Sequence, residues 1–241
     1  MSEKRELAAT NLWTDLWDFI FPRKCCGCEK HLADLPGLIC EPCLNSIPVR
    51  ANPFCVICKQ DLTPAETPSH ACQRELYSVY SLWDYENAVP AIIHKFKYEN
   101  KKSLGRLISH KLHLNFSCVS DAIEVNSVIP VPLHPARKRE RGFNQSEVLA
   151  EILSNLLQVK LILRTIARHR NTKDQTTLDA NQRLQNVSNA FNVKNREVIR
   201  GKSILLVDDV ITTGATLSEC ARVLKESGAC RVSACTLAKA V

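Results

Sequence analysis

The stretch that most constrains this chain is Ile204-Leu205-Leu206-Val207-Asp208-Asp209-Val210-Ile211-Thr212-Thr213-Gly214-Ala215-Thr216. Four apolar residues in a row read as a strand buried on both faces, the habit of a parallel sheet. Asp208 and Asp209 stand where that strand is expected to end. Beyond the loop, Leu217, Cys220, Ala221 and Leu224 recur at helical spacing, and Gly228 is placed to stop the helix. Ligands of open α/β sheets bind outside the carboxyl ends of the strands. The free N–H groups of an opening helix hold a phosphate there. Gly214 permits close backbone approach, and Thr212, Thr213 and Thr216 add hydroxyl donors. Two carboxylates beside that phosphate would repel it, but they suit a pair of sugar hydroxyls. The stretch is expected to hold a ribose that carries a phosphate at one end.

An apolar run, then Asp-Asp, three residues, Thr-Gly, one residue and Thr resembles the ribose-phosphate signature of the type I phosphoribosyltransferases. That resemblance implies phosphoribosyl pyrophosphate as ligand, with magnesium on its diphosphate. Asp208 and Asp209 would face the ribose as the catalytic pair, and Thr212, Thr213, Gly214, Ala215 and Thr216 would cradle the 5′-phosphate.

A chain of 241 residues, 45% apolar and 24% charged, can bury a sizeable core in one or two domains. No apolar run is long enough to span a bilayer, and no secretory signal is read at the start, so a cytoplasmic location is expected. Twelve cysteines could mean disulfides, but half of them fall in C-x-x-C pairs. Cytosolic metal binding is the better reading. Charge is uneven: residues 1–72 hold seven Lys+Arg against nine Asp+Glu, and the remainder holds 25 against 16. The basic surplus of the second part suits phosphates or nucleic acid, and it also suits plain solubility.

Leu12, Trp13, Leu16, Trp17, Ile20 and Phe21 form the apolar stripe of an amphipathic helix over residues 10–21, ended by Pro22. Its polar face carries Asp15 and Asp18, which favours packing on protein over resting on a membrane. An internal repeat follows. Cys25-Cys26-Gly27-Cys28-Glu29-Lys30-His31-Leu32 aligns with Cys55-Val56-Ile57-Cys58-Lys59-Gln60-Asp61-Leu62. Each is a C-x-x-C turn that aims two thiolates at one metal. Cys25, Cys28, Cys40 and Cys43 complete a tetrahedral zinc set. Cys55, Cys58 and Cys72 form a second, damaged set, with Glu75 where a fourth cysteine would pair; either His70 or Glu75 is the substitute ligand, or the set binds no metal. Pairing Cys40 and Cys43 with Cys55 and Cys58 is the competing arrangement, and the repeat argues against it.

A domain boundary is expected near Cys72, dividing 1–72 from 73–241. Leu76–Tyr85 reads as a strand or hairpin arm, Ala88–Lys97 as a helix followed by Lys95, Lys97 and Lys101 with Tyr98 between, and Leu104 to Leu112 as another helix. Ser127–Pro135 reads as a short apolar strand broken by prolines, which suit an edge or a strand end. Arg137, Lys138, Arg139 and Arg141 follow it, then Gly142-Phe143-Asn144-Gln145-Ser146 and a helix through Leu156. This unit suits a diphosphate or nucleic acid. Arg168 to Phe191, with Lys173, reads as an exposed loop running into a helix, and a basic flap there could close over the site. Arg231–Leu237 is the next strand. Cys118, Cys220, Cys230 and Cys235 read as core fillers.

Taken together, the Leu-Trp-Asp-Phe-Ile-Phe-Pro lead-in, the cysteine turns, Val131-Pro132-Leu133-His134-Pro135, Arg141-Gly142-Phe143-Asn144-Gln145-Ser146, Gln185-Asn186-Val187 with Ala190-Phe191, and the 204–216 signature resemble the ComF proteins of bacterial competence. The resemblance implies a double zinc ribbon joined to a phosphoribosyltransferase-type α/β domain, a parallel sheet with helices on both faces. It also implies a role in DNA uptake and natural transformation, with DNA-uptake proteins as partners. Two functional classes follow. One is a phosphoribosyltransferase whose acceptor the sequence does not name. The other is a binder of single-stranded DNA without catalysis, though aromatic platforms are sparse and Phe143 is the only one within the basic run.

Overall fold

Strands β1 (Val79–Asp84), β2 (Ser127–Pro130), β3 (Lys160–Leu161), β6 (Ser203–Ile211) and β7 (Arg231–Lys239) form one parallel sheet in the order β1-β7-β6-β2-β3. This computed structural model describes residues 24–32, 39–63, 70–72, 75–98, 105, 108–113, 124–170 and 180–240. The expected helix over 10–21, Lys101, Cys118 and the Lys173 flap lie outside the described residues.

The central strands are what their apolar runs demand. Ile204, Leu205, Leu206 and Val207 are each no more than 1% exposed, because both faces of the sheet are covered. On one face, α2 (Val89–Tyr98) and α4 (Gln145–Leu157) pack over Leu205 and Val207. On the other, α6 (Ala215–Glu226) covers Ile204, Leu206 and Ile211 with Leu217, Cys220, Ala221 and Leu224. The short hairpin of β4 (Ile166–Arg168) and β5 (Phe191–Val193) lies on this second face, and α5 (Ala180–Val187) precedes it. Gly228 (φ +99°) follows the end of α6, as its position suggests.

Three expectations change. The 79–84 strand is no hairpin arm: it pairs in parallel with β7, tied by buried hydroxyl pairs Ser81–Thr236 (2.6 Å) and Ser78–Ser233 (3.2 Å). Strand β2 is not an edge, since β3 lies outside it; its Pro130 sits at the last paired position, where a missing N–H is tolerated. Cys220 and Cys235 are buried, but Cys230 is exposed and fills no core.

The cysteine-rich part does not stand apart. Cys25, Leu32, Ile39, Leu44 and Ile47, the last two at and just after the short helix α1 (Glu41–Asn45), share one buried cluster with Trp83, Ile92 and Leu149. Farther on, Phe54 and Val79 exchange backbone hydrogen bonds (2.9 and 3.2 Å). Arg50 clasps Asp61 and also donates to Asp84 (2.6 Å), tying the second cysteine turn to the end of β1.

Candidate sugar-phosphate site and cysteine clusters

The chain leaves β2 and crosses to β3 on one side, then returns to β6 on the other, so the strand order reverses between β2 and β6. Crevices at such switch points are where open α/β sheets bind ligands. The helices that follow these two strands, α4 and α6, lie on opposite faces, which opens the crevice.

Asp208 and Asp209 are at this point, but the strand does not end with them. Strand β6 runs on to Ile211, because β7 keeps pairing with it as far as Lys239. The partner on the other side stops at Pro130, opposite Val207, and Val131 adds one last bond to Val207 (2.8 Å). The acids therefore sit on a rigid strand with one open flank. Both remain partly exposed. Asp208 Oδ1 accepts from Ser146 Oγ (3.0 Å) at the start of α4 and from the Asp209 N–H (2.9 Å). Asp209 pairs with Lys97 at the end of α2 (2.9 Å).

Burial, followed by the adjacent Asp209 charge, pushes the Asp208 carboxyl up to about 7. Burial lowers the proton affinity of Lys97, but the combined pull of Asp209 and Asp208 outweighs it and leaves the ammonium harder to deprotonate than usual. One carboxylate is thus neutralised by a fixed cation, and its neighbour is poised between charge states near neutral pH.

Thr212, Thr213, Gly214, Ala215 and Thr216 follow directly. Gly214, the N-cap of α6, takes the left-handed φ of +81° and has no side chain with which to cap the helix. Ala215 N–H reaches only Thr213 Oγ1, at 3.4 Å. An uncapped helix start beside hydroxyls is a ready anion seat. The room beside Gly214 is not open to ligand on every side, however: a Cβ there would collide with Val56 Cγ2 of the second cysteine turn.

Part of the basic run is engaged in contacts within the chain. Arg137, Lys138, Arg139 and Arg141 lie on α3 (Pro135–Arg141). Lys138 is paired with Glu147 (2.8 Å), and Arg141 stacks over Tyr98 (5.5 Å) and reaches Gln145 (3.4 Å). Arg139 is exposed. The amides after this run are spent internally. Asn144 caps α4 and donates to Val131 O (2.9 Å), and Gln145 donates to Lys97 O (3.1 Å). Phe143 is buried edge-on against Phe96 and offers no platform for a base. The exposed aromatic here is Tyr98. Lys97, Ser146 and Arg168, whose guanidinium feels the Asp208 charge, belong to the site without having been singled out in the sequence. The signals that pointed toward them were general ones: the lysine run for Lys97, the unit after the basic run for Ser146, and the start of the Arg168–Phe191 stretch for Arg168.

The two cysteine turns repeat in three dimensions. Cys25 N–H donates to Lys30 O and Glu29 N–H to Cys25 O; Cys55 N–H donates to Gln60 O and Lys59 N–H to Cys55 O, all at 2.9 Å. Glu29 (φ +59°) and Lys59 (φ +66°) take the same left-handed turn. Cys25, Cys28, Cys40 and Cys43 place their sulfurs in one group, and Cys55, Cys58, His70 and Cys72 bring their ligand atoms into another. The arrangement Cys40–Cys43 with Cys55–Cys58 is not the one adopted, and His70 rather than Glu75 stands in the fourth place.

The Cys25–Cys40 and Cys28–Cys40 sulfur separations are 3.6 and 3.7 Å. A zinc tetrahedron with Zn–S of about 2.3 Å has edges of about 3.8 Å, so the first group fits that ion. Burial raises the Cys25 thiol, but N–H donors from the backbone outweigh it and hold it at about 6; hydrogen bonds that the Cys43 thiol donates to the Cys40 and Cys28 sulfurs push Cys43 up to about 12. Four thiols that must share protons in this way are relieved by a cation. In the second group the Cys58 sulfur lies 3.3 Å from His70 Nε2, and a donor from Gln60 holds Cys58 at about 7. Both clusters could hold zinc. Among the described residues no helix is long and apolar enough to cross a membrane.

A family model described as the phosphoribosyl transferase domain matches residues 144–240. The sheet and its switch-point crevice are therefore those of a phosphoribosyltransferase-type domain. The relatives cover nearly the whole chain. Competence protein F of Haemophilus influenzae is 29% identical over 91% of this chain and 98% of its own. The DNA utilization protein YhgH of Salmonella typhimurium is 30% identical over 88% and 94%. Competence protein ComFC of Bacillus subtilis is 31% identical over 88% and 82%. The chain belongs to this family of competence and DNA-utilization proteins, the ComF family. Among solved structures, a glutamine phosphoribosylpyrophosphate amidotransferase from B. subtilis overlaps at a TM-score of 0.39 and 20% identity, over 60% of this chain and 30% of that one.

Proposed function

We propose that the chain binds phosphoribosyl pyrophosphate or a closely related sugar phosphate and works in the handling of incoming DNA. The observation that carries the ligand is the pair Asp208–Asp209 on the open flank of β6, followed at once by an uncapped helix start. Asp208 and Asp209 take the ribose hydroxyls, and residues 212–216 take the 5′-phosphate. Magnesium arrives with the diphosphate, as that ion prefers phosphate oxygens and water to a protein cage. Arg137 and Arg139 are the proposed cations for the diphosphate. Zinc is the proposed occupant of the cysteine clusters. The relatives' names support the DNA role.

Calorimetry with phosphoribosyl pyrophosphate and magnesium tests this reading. Wild-type protein binds; Asp208→Asn with Asp209→Asn does not, while circular dichroism stays unchanged. Equal binding by both proteins would overturn the assignment. Release of pyrophosphate across a panel of bases separates a working transferase from a binder. The second reading, contact with single-stranded DNA, rests on the exposed Arg139 and on the basic surplus of residues 73–241. It requires affinity that falls steeply with salt; salt-independent binding rejects it.

A further inference from the structure

The second cysteine turn lies against the phosphate loop. Val56, inside that turn, occupies the place where a Cβ on Gly214 would stand. Lys59, at the end of the same turn, donates from Nζ to Thr212 O (3.4 Å). Lys239, which pairs in register with Ile211 just before the loop, donates to Lys59 O (3.4 Å) and sits 4.3 Å over the Phe54 ring. The turn thus touches the loop at Thr212 and Gly214, on either side of Thr213, and two lysines put positive charge beside an anion seat. Cys55 and Cys58, which bracket Val56, belong to the second metal cluster. The first turn has other neighbours among the described residues: a Cβ on Gly27 would meet Cys43 and Ala88.

We infer that the second metal cluster is a positioning element of the sugar-phosphate site. The metal fixes the turn, and Val56 and Lys59 transmit that order to residues 212–216. The inference rests on the proposed ligand reading for its binding readout. Metal and ligand would be thermodynamically linked, so each strengthens the other by the same factor. The free loop must be ordered before its N–H groups converge on a phosphate, and a metal-fixed neighbour removes part of that cost.

Full-length protein with both clusters loaded is compared with His70→Ala, which should retain zinc only at the first cluster, as zinc analysis checks. Val56→Ala and Lys59→Met probe the contacts with the metal in place, and Val56→Ile and Lys59→Arg are the conservative controls. Expected are a roughly tenfold loss of affinity for phosphoribosyl pyrophosphate with magnesium in His70→Ala and in Val56→Ala, a smaller loss in Lys59→Met, and recovery in the conservative variants. Saturating ligand should slow zinc loss from the second cluster to a chelator, and leave the first unchanged.

Amide hydrogen exchange at residues 213–216 supplies a readout that needs no ligand, with faster exchange expected in His70→Ala and Val56→Ala. Unchanged exchange in both variants overturns the inference, as does metal-independent affinity. A wild-type protein that ignores the ligand overturns the sugar-phosphate reading alone, and the exchange result still decides this one.

Discussion

The two cysteine turns are one design used twice, and their backbones match bond for bond. Their surroundings do not. The first turn is completed by four thiols and packs into the apolar cluster shared by α2, α4 and β1. The second has a histidine in its fourth place and leans on the ligand loop. The corresponding positions have therefore diverged. Where the first turn has Gly27, at which a Cβ would stand 3.0 Å from Cys43 Sγ and 3.3 Å from Ala88 Cβ, the second has Ile57, 49% exposed. Where the first has Cys26, the second has Val56 against Gly214. A repeated metal turn fixes only its own backbone; the residues between the cysteines decide what it is attached to. The first turn should serve folding and the second should serve the site.

The largest effect that could break this contrast comes from ligand loss at the first cluster. Cys43→Ser leaves three thiolates around a cation and disrupts a cluster whose neighbours include buried Cys25, Leu32 and Leu44. The apo part has little core of its own, so metal binding there is folding free energy. A loss of about 4 kcal/mol is expected, read as a fallen denaturation midpoint and halved zinc content. Cys72→Ser should lose zinc to the same extent at about half that cost in stability. Equal destabilisation by the two variants would erase the distinction.

Next in size is Gly214→Ala. The φ of +81° penalises any side chain, and the added Cβ collides with Val56. About 3 kcal/mol is expected from strain and overpacking together. Val56→Ala in the same chain should restore part of it, since it removes the collision but not the strained φ. Gly27→Ala has no left-handed φ to violate and meets its neighbours at 3.0 to 3.3 Å, so about 1 to 2 kcal/mol is expected. Thermal melts of the single and double variants measure both.

How much of this was legible follows from what each feature depends on. The buried run 204–207, the face of α6 and the two C-x-x-C turns are local, and periodicity and spacing placed them correctly. The misread places were decided by partners distant in sequence. Strand β6 continues through the acids because β7 pairs with it there, and no pattern within 204–216 reports that. Phe143 looked like a platform in a basic run, but Phe96 covers it. Val56 carried no signal, since an apolar residue inside a metal turn has many uses, and only the folded chain sets it beside Gly214. His70 was one of two open choices, settled when the chain brought it to Cys58.

Asp208→Asn sharpens the contrast further by striking the site while sparing both metals. The folded pKa of about 7 lies above the unfolded value near 3.8, so the fold prefers the protonated acid. That preference stabilises fully below pH 4 and is lost as pH rises through 7. Asparagine removes the cost of holding a partly desolvated charge beside Asp209 and keeps an acceptor for Ser146. At pH 8 the variant should be about 1 to 2 kcal/mol more stable than wild type, and the gap should close toward pH 4. Ligand affinity should move the other way, weak in the variant at every pH and weakening in wild type as pH falls from 8 to 6. Zinc content should stay at wild-type level throughout.

The smallest effect belongs to Ile57→Ser. Its backbone N–H donates to Cys55 Sγ (3.4 Å), a bond no side-chain change removes. Its side chain is half exposed, and isolated apolar residues on a surface are ordinary. Stability should change by less than about 0.5 kcal/mol. Ligand affinity should also hold, because contact with the loop runs through Val56 and Lys59 instead. A clear loss of affinity in Ile57→Ser would mean that the turn reaches the site by another side, and that Gly214 and Val56 merely fill space together.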